Sequence, residues 1–239
     1  MLLFAVPDFS PIRAVVFDLF HTLVSLEVAQ APGRATSEIL EIDWEEWYRV
    51  WTSAPADYVL GLVAVEVPVR RLARKLNPKV TEAQIQEVLT TRPSRFRHTL
   101  MNVEAETLEG LRSLRRLGYK LGLISNCGKD EIASWQESPL APLFDSVLFS
   151  CAVKLKKPDP RIYQLAANKL GVEPGQCLYV GNGGSDEFAG ARRAGMTPVL
   201  LTRHLEVIRP GAIPEAARQA DFQVRTVGDL VRLLASGPG

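Results

Sequence analysis

Cysteine is scarce in this 239-residue chain, with Cys127, Cys151 and Cys177 its only three. They form no close pair along the sequence and no metal-ligand spacing, which excludes a disulfide framework and a cysteine zinc site. Each reads as a small buried residue, Cys127 included although it adjoins Asn126. Such usage fits a reducing cytoplasm. Charge of one sign is lacking too. The net charge is +1, so a general affinity for nucleic acid or an acidic membrane has no support. The basic groups Arg70, Arg71, Arg74, Lys75 and Arg92, Arg95, Arg97 read as solvated faces. No apolar run is long enough to span a bilayer. The start, Met1 to Val6, is apolar but short and has no basic leader, so no signal peptide is expected. Repeats and low-complexity segments are absent, and Gly183-Gly184 makes no dinucleotide fingerprint, which excludes a nicotinamide or flavin role.

What remains is an ordinary globular composition, 46% hydrophobic and 23% charged. Its most informative segment is Ala14-Val15-Val16-Phe17-Asp18. Four apolar residues without alternation predict a strand buried on both faces, as in a parallel sheet. A carboxylate at the carboxyl end of such a strand sits where open α/β sheets place their ligands. From Leu108 onward helices and buried strands alternate. Helix Thr107 to Leu117 is followed by strand Lys120 to Ile124, a helix from about Lys129, and strand Phe144 to Phe149. Then come helix Arg161 to Leu170, strand Leu178 to Val180, helix Glu187 to Ala194, strand Pro198 to Leu201, a strand near Asp221 to Val224, and helix Val227 to Leu234. Repeated β-then-α units predict a doubly wound, Rossmann-like parallel sheet with helices on both faces.

Residues 24–99 break this rhythm and read as helical. Trp44, Trp47, Tyr48 and Trp51 recur at i, i+3, i+4 and i+7, one face of a helix, and such a stripe reads as packing. A second helix is predicted from Thr81, its cap, to Leu89, with Pro93 beyond its end.

Four segments in order carry a resemblance: Asp18, then Ser125-Asn126 after a second strand, then Lys157 in the turn Lys157-Pro158-Asp159-Pro160, then Gly181-Asn182-Gly183-Gly184-Ser185-Asp186-Glu187 after a third. Together they resemble the haloacid dehalogenase (HAD) superfamily of aspartate-nucleophile hydrolases. The resemblance implies a catalytic core of residues 1–23 and 100–239 and a smaller helical cap of residues 24–99. It implies Asp18 as covalent nucleophile, Ser125 and Asn126 holding the transferred group, and Lys157 balancing charge. A small-molecule substrate is implied; nothing in the sequence sets the oligomeric state.

Two positions depart from the family's phosphatases. Those carry a second aspartate two residues after the nucleophile as general acid, where this chain has Phe20. Adjacent His21 is a candidate for substrate contact but reads more simply as a hydrogen-bonded turn residue. The phosphatases also bind magnesium through the nucleophile, a backbone carbonyl two residues on, and an aspartate of the fourth segment. Here those positions are Asp18, Phe20 and the uncharged Asn182, with Asp186 and Glu187 as further carboxylates. The resemblance therefore implies a magnesium site weakened by Asn182. The favoured expectation is a magnesium-dependent phosphatase of a small phosphomonoester. The alternative is a metal-independent 2-haloacid dehalogenase, which Phe20 and Asn182 suit and for which Arg49 is the candidate cap arginine, although Arg49 also pairs in sequence with Glu45. A catalytically weak ligand-binding member is the third expectation.

Overall fold

The computed structural model describes residues 9–53 and 56–235; the Met1 to Val6 segment lies outside them. The strands are β1 (Ala14–Phe17), β2 (Lys120–Ser125), β3 (Ser146–Phe149), β4 (Cys177–Gly181), β5 (Thr197–Leu201) and β6 (Phe222–Val224). They form one parallel sheet in the order β3-β2-β1-β4-β5-β6. The chain thus runs outward on one side of β1 and returns to run outward on the other. That reversal opens a crevice at the carboxyl ends of β1, β2 and β4, where doubly wound sheets bind ligands.

Side-chain alternation sorts the sheet's residues into two cores. Val15, Phe17, Leu121, Leu123 and Val180 pack with Leu111, Leu114, Leu230 and Leu234. These last four come from α6 (Ala105–Arg116) and α12 (Val227–Ala235). Ala14, Val16, Ile124 and Tyr179 pack on the opposite face with Ile162, Tyr163, Phe188 and Ala216. Those partners come from α8 (Pro160–Leu170), α9 (Glu187–Ala194) and α11 (Ile213–Gln219). Short helices α7 (Ser150–Val153) and α10 (Leu205–Ile208) follow β3 and β5. Every residue of β1 is buried, which accounts for its unbroken apolar run.

Between β1 and α6 lie α1 (Thr36–Leu40), α2 (Trp44–Ser53), α3 (Ala56–Val59), α4 (Glu66–Leu76) and α5 (Glu82–Met101). They bury a cluster of their own that includes Ile39, Leu40, Val50, Val69, Leu72, Ile85 and Val88. The helix predicted to stop before Pro93 continues through it to Met101. Proline removes one donor there, yet both ends of α5 are anchored, Ile85 and Val88 in the helical cluster and Leu100 in the sheet's core. Packing on both sides outweighs one lost hydrogen bond. The expected boundary between residues 99 and 100 consequently falls within the last turn of α5.

The helix expected from about Lys129 does not form; that stretch is turns and a 3₁₀ turn at Trp135–Glu137. Its side chains serve long-range contacts instead. Glu131 accepts from the Gly128 backbone at 3.0 Å and from Arg92 at 2.8 Å, while Asp130 accepts from the Tyr58 hydroxyl at 2.7 Å. Arg92, read as solvated, is therefore buried in an ion cluster that ties α3 and α5 to the loop after β2. Among the described residues no helix is long and apolar enough to cross a membrane.

Candidate active site

Asp18 continues the β1 ladder, its backbone N–H donating to Val180 at 2.9 Å, so its carboxylate emerges at the crevice. It is 5% exposed. Lys157, from the turn before α8, reaches its Oδ1 at 2.5 Å and the Glu187 carboxylate at 2.7 Å. The Tyr179 hydroxyl donates to the same Glu187 oxygen at 2.6 Å and accepts from Lys157 at 3.0 Å. One buried cation thus faces two buried carboxylates. Burial alone would depress the Lys157 ammonium, but the charges of Asp18 and Glu187 outweigh it and hold the group above its ordinary value. Burial pushes Glu187 up, Asp18 adds to that, and Lys157 opposes it.

The other Asp18 oxygen, Oδ2, accepts from the Thr22 hydroxyl at 2.8 Å, and the Asn182 amide lies 3.4 Å away. Asn182 Nδ2 also donates to the Phe20 carbonyl at 2.9 Å, while its Oδ1 accepts from the Gly184 N–H at 2.8 Å. The network fixes the amide's orientation: the opposite flip would set an oxygen against a carboxylate and a carbonyl, and an NH2 against an N–H.

These donors do not fit the magnesium set expected from sequence. The Phe20 carbonyl and Asp18 Oδ2 are bridged by an amide N–H group. Both Glu187 oxygens are engaged, Oε2 by Lys157 and Tyr179 and Oε1 by the Gly183 N–H at 2.8 Å. Asp186 is exposed and does not line the cleft. Ser185 and Asp186 both adopt left-handed backbone, φ 56° and 49°, a turn that sends Glu187 inward. Gly181 makes room for it, since a Cβ there would lie 2.2 Å from the Glu187 carboxylate. Among the described residues no group of three or more His, Cys, Asp or Glu is placed to hold a metal.

Residues 12–195 match the family of haloacid dehalogenase-like hydrolases. The chain belongs to that family. This HAD hydrolase is 31% identical over 240 residues to the (S)-2-haloacid dehalogenase 4A of Burkholderia cepacia, covering 94% of this chain and 95% of that one. It is 28% identical over 243 residues to a glyceraldehyde 3-phosphate phosphatase of Methanopyrus kandleri, covering 94% and 99%. Among solved structures, the HAD phosphatase of Thermococcus onnurineus superposes with a TM-score of 0.60 at 26% identity, over 95% of this chain and 99% of that one. Both reaction types are thus represented among its relatives.

The HAD hydrolase's cleft has a volume of about 250 Å³. Asp18, Phe20, His21, Ser125, Asn126, Lys157, Asn182 and Glu187 all line it. Asn126 spends its amide on the Lys157 backbone, donating to the carbonyl at 2.9 Å and accepting from the N–H at 2.8 Å, so it ties the end of β2 to the lysine turn. Arg49 is not brought to the site: it is exposed and outside the lining, and Glu45 pairs with Arg209 at 3.6 Å. The cleft's arginines are Arg92 and Arg95, both read from sequence as solvated. The aromatic stripe read as packing lines the cleft as well. Sequence reasoning also missed Thr22 and Tyr179. Thr22 stands four residues after Asp18 in a turn, a spacing that offered a signal; Tyr179 looked like any other strand residue. Cys127 is fully buried, and burial pushes its thiol up, in keeping with an inert packing role.

His21 is not the satisfied turn residue expected. Its Nδ1 makes no hydrogen bond, and the Glu27 carboxylate is 3.8 Å away. His204 is buried, with Nδ1 unpartnered and Nε2 3.3 Å from Glu104. Burial outweighs the attraction of Glu104 and depresses His204 to about 4. A folded value below the unfolded 6.5 means that the unfolded chain binds more protons between those limits. Stability from His204 is therefore present above pH 6.5 and lost as the pH falls to 4, by about 3 kcal/mol. Denaturant midpoints measured at both pH values should show that loss, and His204→Gln should remove most of it. An equal loss in the variant would contradict this assignment.

Proposed function

We propose that this HAD hydrolase displaces a leaving group from carbon without a metal, as a 2-haloacid dehalogenase does, with Asp18 as nucleophile. The carrying observation is Asn182. Its amide spans the Phe20 carbonyl and Asp18 Oδ2, at 2.9 and 3.4 Å, so a hydrogen-bond donor stands between the two oxygens that a cation would have to join. Phe20 adds support. It offers no proton, and halide departs without one, whereas an alcohol leaving from a phosphomonoester needs a donor.

In the first step an Asp18 carboxylate oxygen attacks the substrate carbon, the carbon–halogen bond breaks, and halide leaves with the bonding pair. Lys157 sets its charge against one Asp18 oxygen, and Thr22 and Asn182 orient the other. Ser125, at the end of β2, lines the cleft beside Asp18 and hydrogen-bonds the transferred group. In the second step water adds to the ester carbonyl of Asp18 and the acyl–oxygen bond breaks. The 2-hydroxy acid leaves, and the proton released goes to solvent. The products are the hydroxy acid, halide and one proton.

The test is halide release from 2-chloropropanoate with and without chelator. Release is expected to be indifferent to chelator. Asn182→Asp, which removes the donor and adds a second carboxylate beside Asp18, should lower that release by about a hundredfold. Release that requires magnesium, or a variant as fast as the parent, would sink the reading. A phosphomonoesterase is the second reading, favoured by likeness to the glyceraldehyde 3-phosphate phosphatase over nearly its whole length. Magnesium-dependent phosphate release, with silence toward haloacids, would establish it in place of the first.

A further inference from the structure

We infer that the cleft takes an aryl-substituted carboxylate, its ring against Trp44 and Tyr48 and its charge on Lys156. The inference deepens the reading above, which supplies the carboxylate and places the reacting carbon at Asp18. The ring site stands on α2. Trp47 and Trp51, stacked at 5.2 Å, pack with the helical cluster. Trp44 and Tyr48, stacked at 5.1 Å with 24° between planes, belong to none of the three hydrophobic cores. Both are half-buried and line the cleft. Arg209 covers part of the Tyr48 ring at 5.1 Å and His21 meets it at 5.7 Å. The apolar surface the two rings still give the cavity is of the kind ligand sites favour. Offset and edge contacts with a bound ring suit such a wall.

The charge site follows from pairing. Among the cations lining the cleft, Arg92 is taken by Asp130 and Glu131, and Lys157 by Asp18 and Glu187. Arg95 Nη1 is bound by the carbonyls of Ala31, Pro32 and Gly33. Lys156 lines the cleft, is partly buried, and has no side-chain hydrogen bond or ion pair among the described residues. It adjoins Lys157 in sequence and lines the same cleft as Asp18.

Binding to the full-length protein tests this with ligands that have no leaving group: 3-phenylpropanoate, propanoate and neutral 3-phenylpropanamide, by titration calorimetry. The phenyl acid should bind at least about tenfold tighter than propanoate. Trp44→Ala should bring that ratio near one, and Trp44→Phe should restore part of it. Lys156→Gln should weaken the phenyl acid about tenfold relative to the amide. Equal binding of the two acids, a ratio unmoved by Trp44→Ala, or an acid-to-amide ratio unmoved by Lys156→Gln would each overturn the inference. Aryl preference in binding without halide release from 2-chloro-3-phenylpropanoate would uphold this site and sink the reaction. Halide release from 2-chloropropanoate with no aryl preference would do the reverse.

Discussion

Asp18→Asn is expected to lower kcat/KM for halide release by roughly 10⁴- to 10⁶-fold, the scale on which loss of a covalent nucleophile registers. The substitution keeps the side chain's shape and removes its charge and nucleophilicity. Its effect on folding should be small, because Lys157 keeps the Glu187 carboxylate at 2.7 Å and the buried cluster passes from two carboxylates against one ammonium to a matched pair. The asparagine oxygen can serve either Thr22 or Lys157 but not both, so one contact to Asp18 is lost while Lys157 keeps Glu187 and Tyr179. Halide release, with a denaturation midpoint on the same preparation, separates chemistry from folding. A variant that keeps its fold and most of its activity would remove Asp18 from the reaction and leave the ligand-binding expectation standing.

Lys157→Met should be costly in both respects. Lys157 is the cation on Asp18 and Glu187, and its side chain is 4% exposed. Removing one partner from a buried ionic group typically costs about 3–5 kcal/mol, because the charge left behind has neither solvent nor counter-ion. Here two carboxylates would be left, with only hydroxyl and amide donors from Tyr179, Thr22, Asn182 and Gly183. The sign of the pH dependence follows. In the variant burial still favours the protonated form of Glu187 and the ammonium that opposed it is gone, so stability should recover as the pH falls. Urea midpoints at pH 7 and pH 5 should therefore converge toward the parent at the lower pH. A uniform deficit at both would mean that lost packing, not stranded charge, is the cause.

The sheet was legible because its signals are local. Unbroken apolar runs at β1, β2 and β4 announce burial on both faces, and the polar residue closing each run marks the crevice. Asp18, Ser125 and Asn182 line one cleft for that reason. What sequence could not supply were choices made by tertiary contact. Whether Asp186 or Glu187 turns inward depends on two left-handed residues at 185 and 186, a local geometry with no residue-type signature. The amide of Asn126 reads as a substrate contact until the Lys157 backbone is seen to take both of its groups. Helical spacing put the four rings of α2 on one face but not the surface that face meets. Arg92 and Arg95 look solvated in a charged stretch and become cleft residues on an α5 that runs on past Leu89 to Met101. Of the two acids near Asn182, Glu187 is held by Lys157, Tyr179 and Gly183, and Asp186 is exposed.

The most direct test of the account follows oxygen through a single turnover. Excess protein would react with 2-chloropropanoate in water enriched in ¹⁸O, and the peptide carrying Asp18 and the lactate product would both be weighed. An ester formed at carbon and cleaved at its acyl carbon predicts one ¹⁸O in Asp18 and none in the first lactate released. Label in the lactate, with Asp18 unlabelled, would mean that water displaced the halide directly and would contradict covalent catalysis by Asp18.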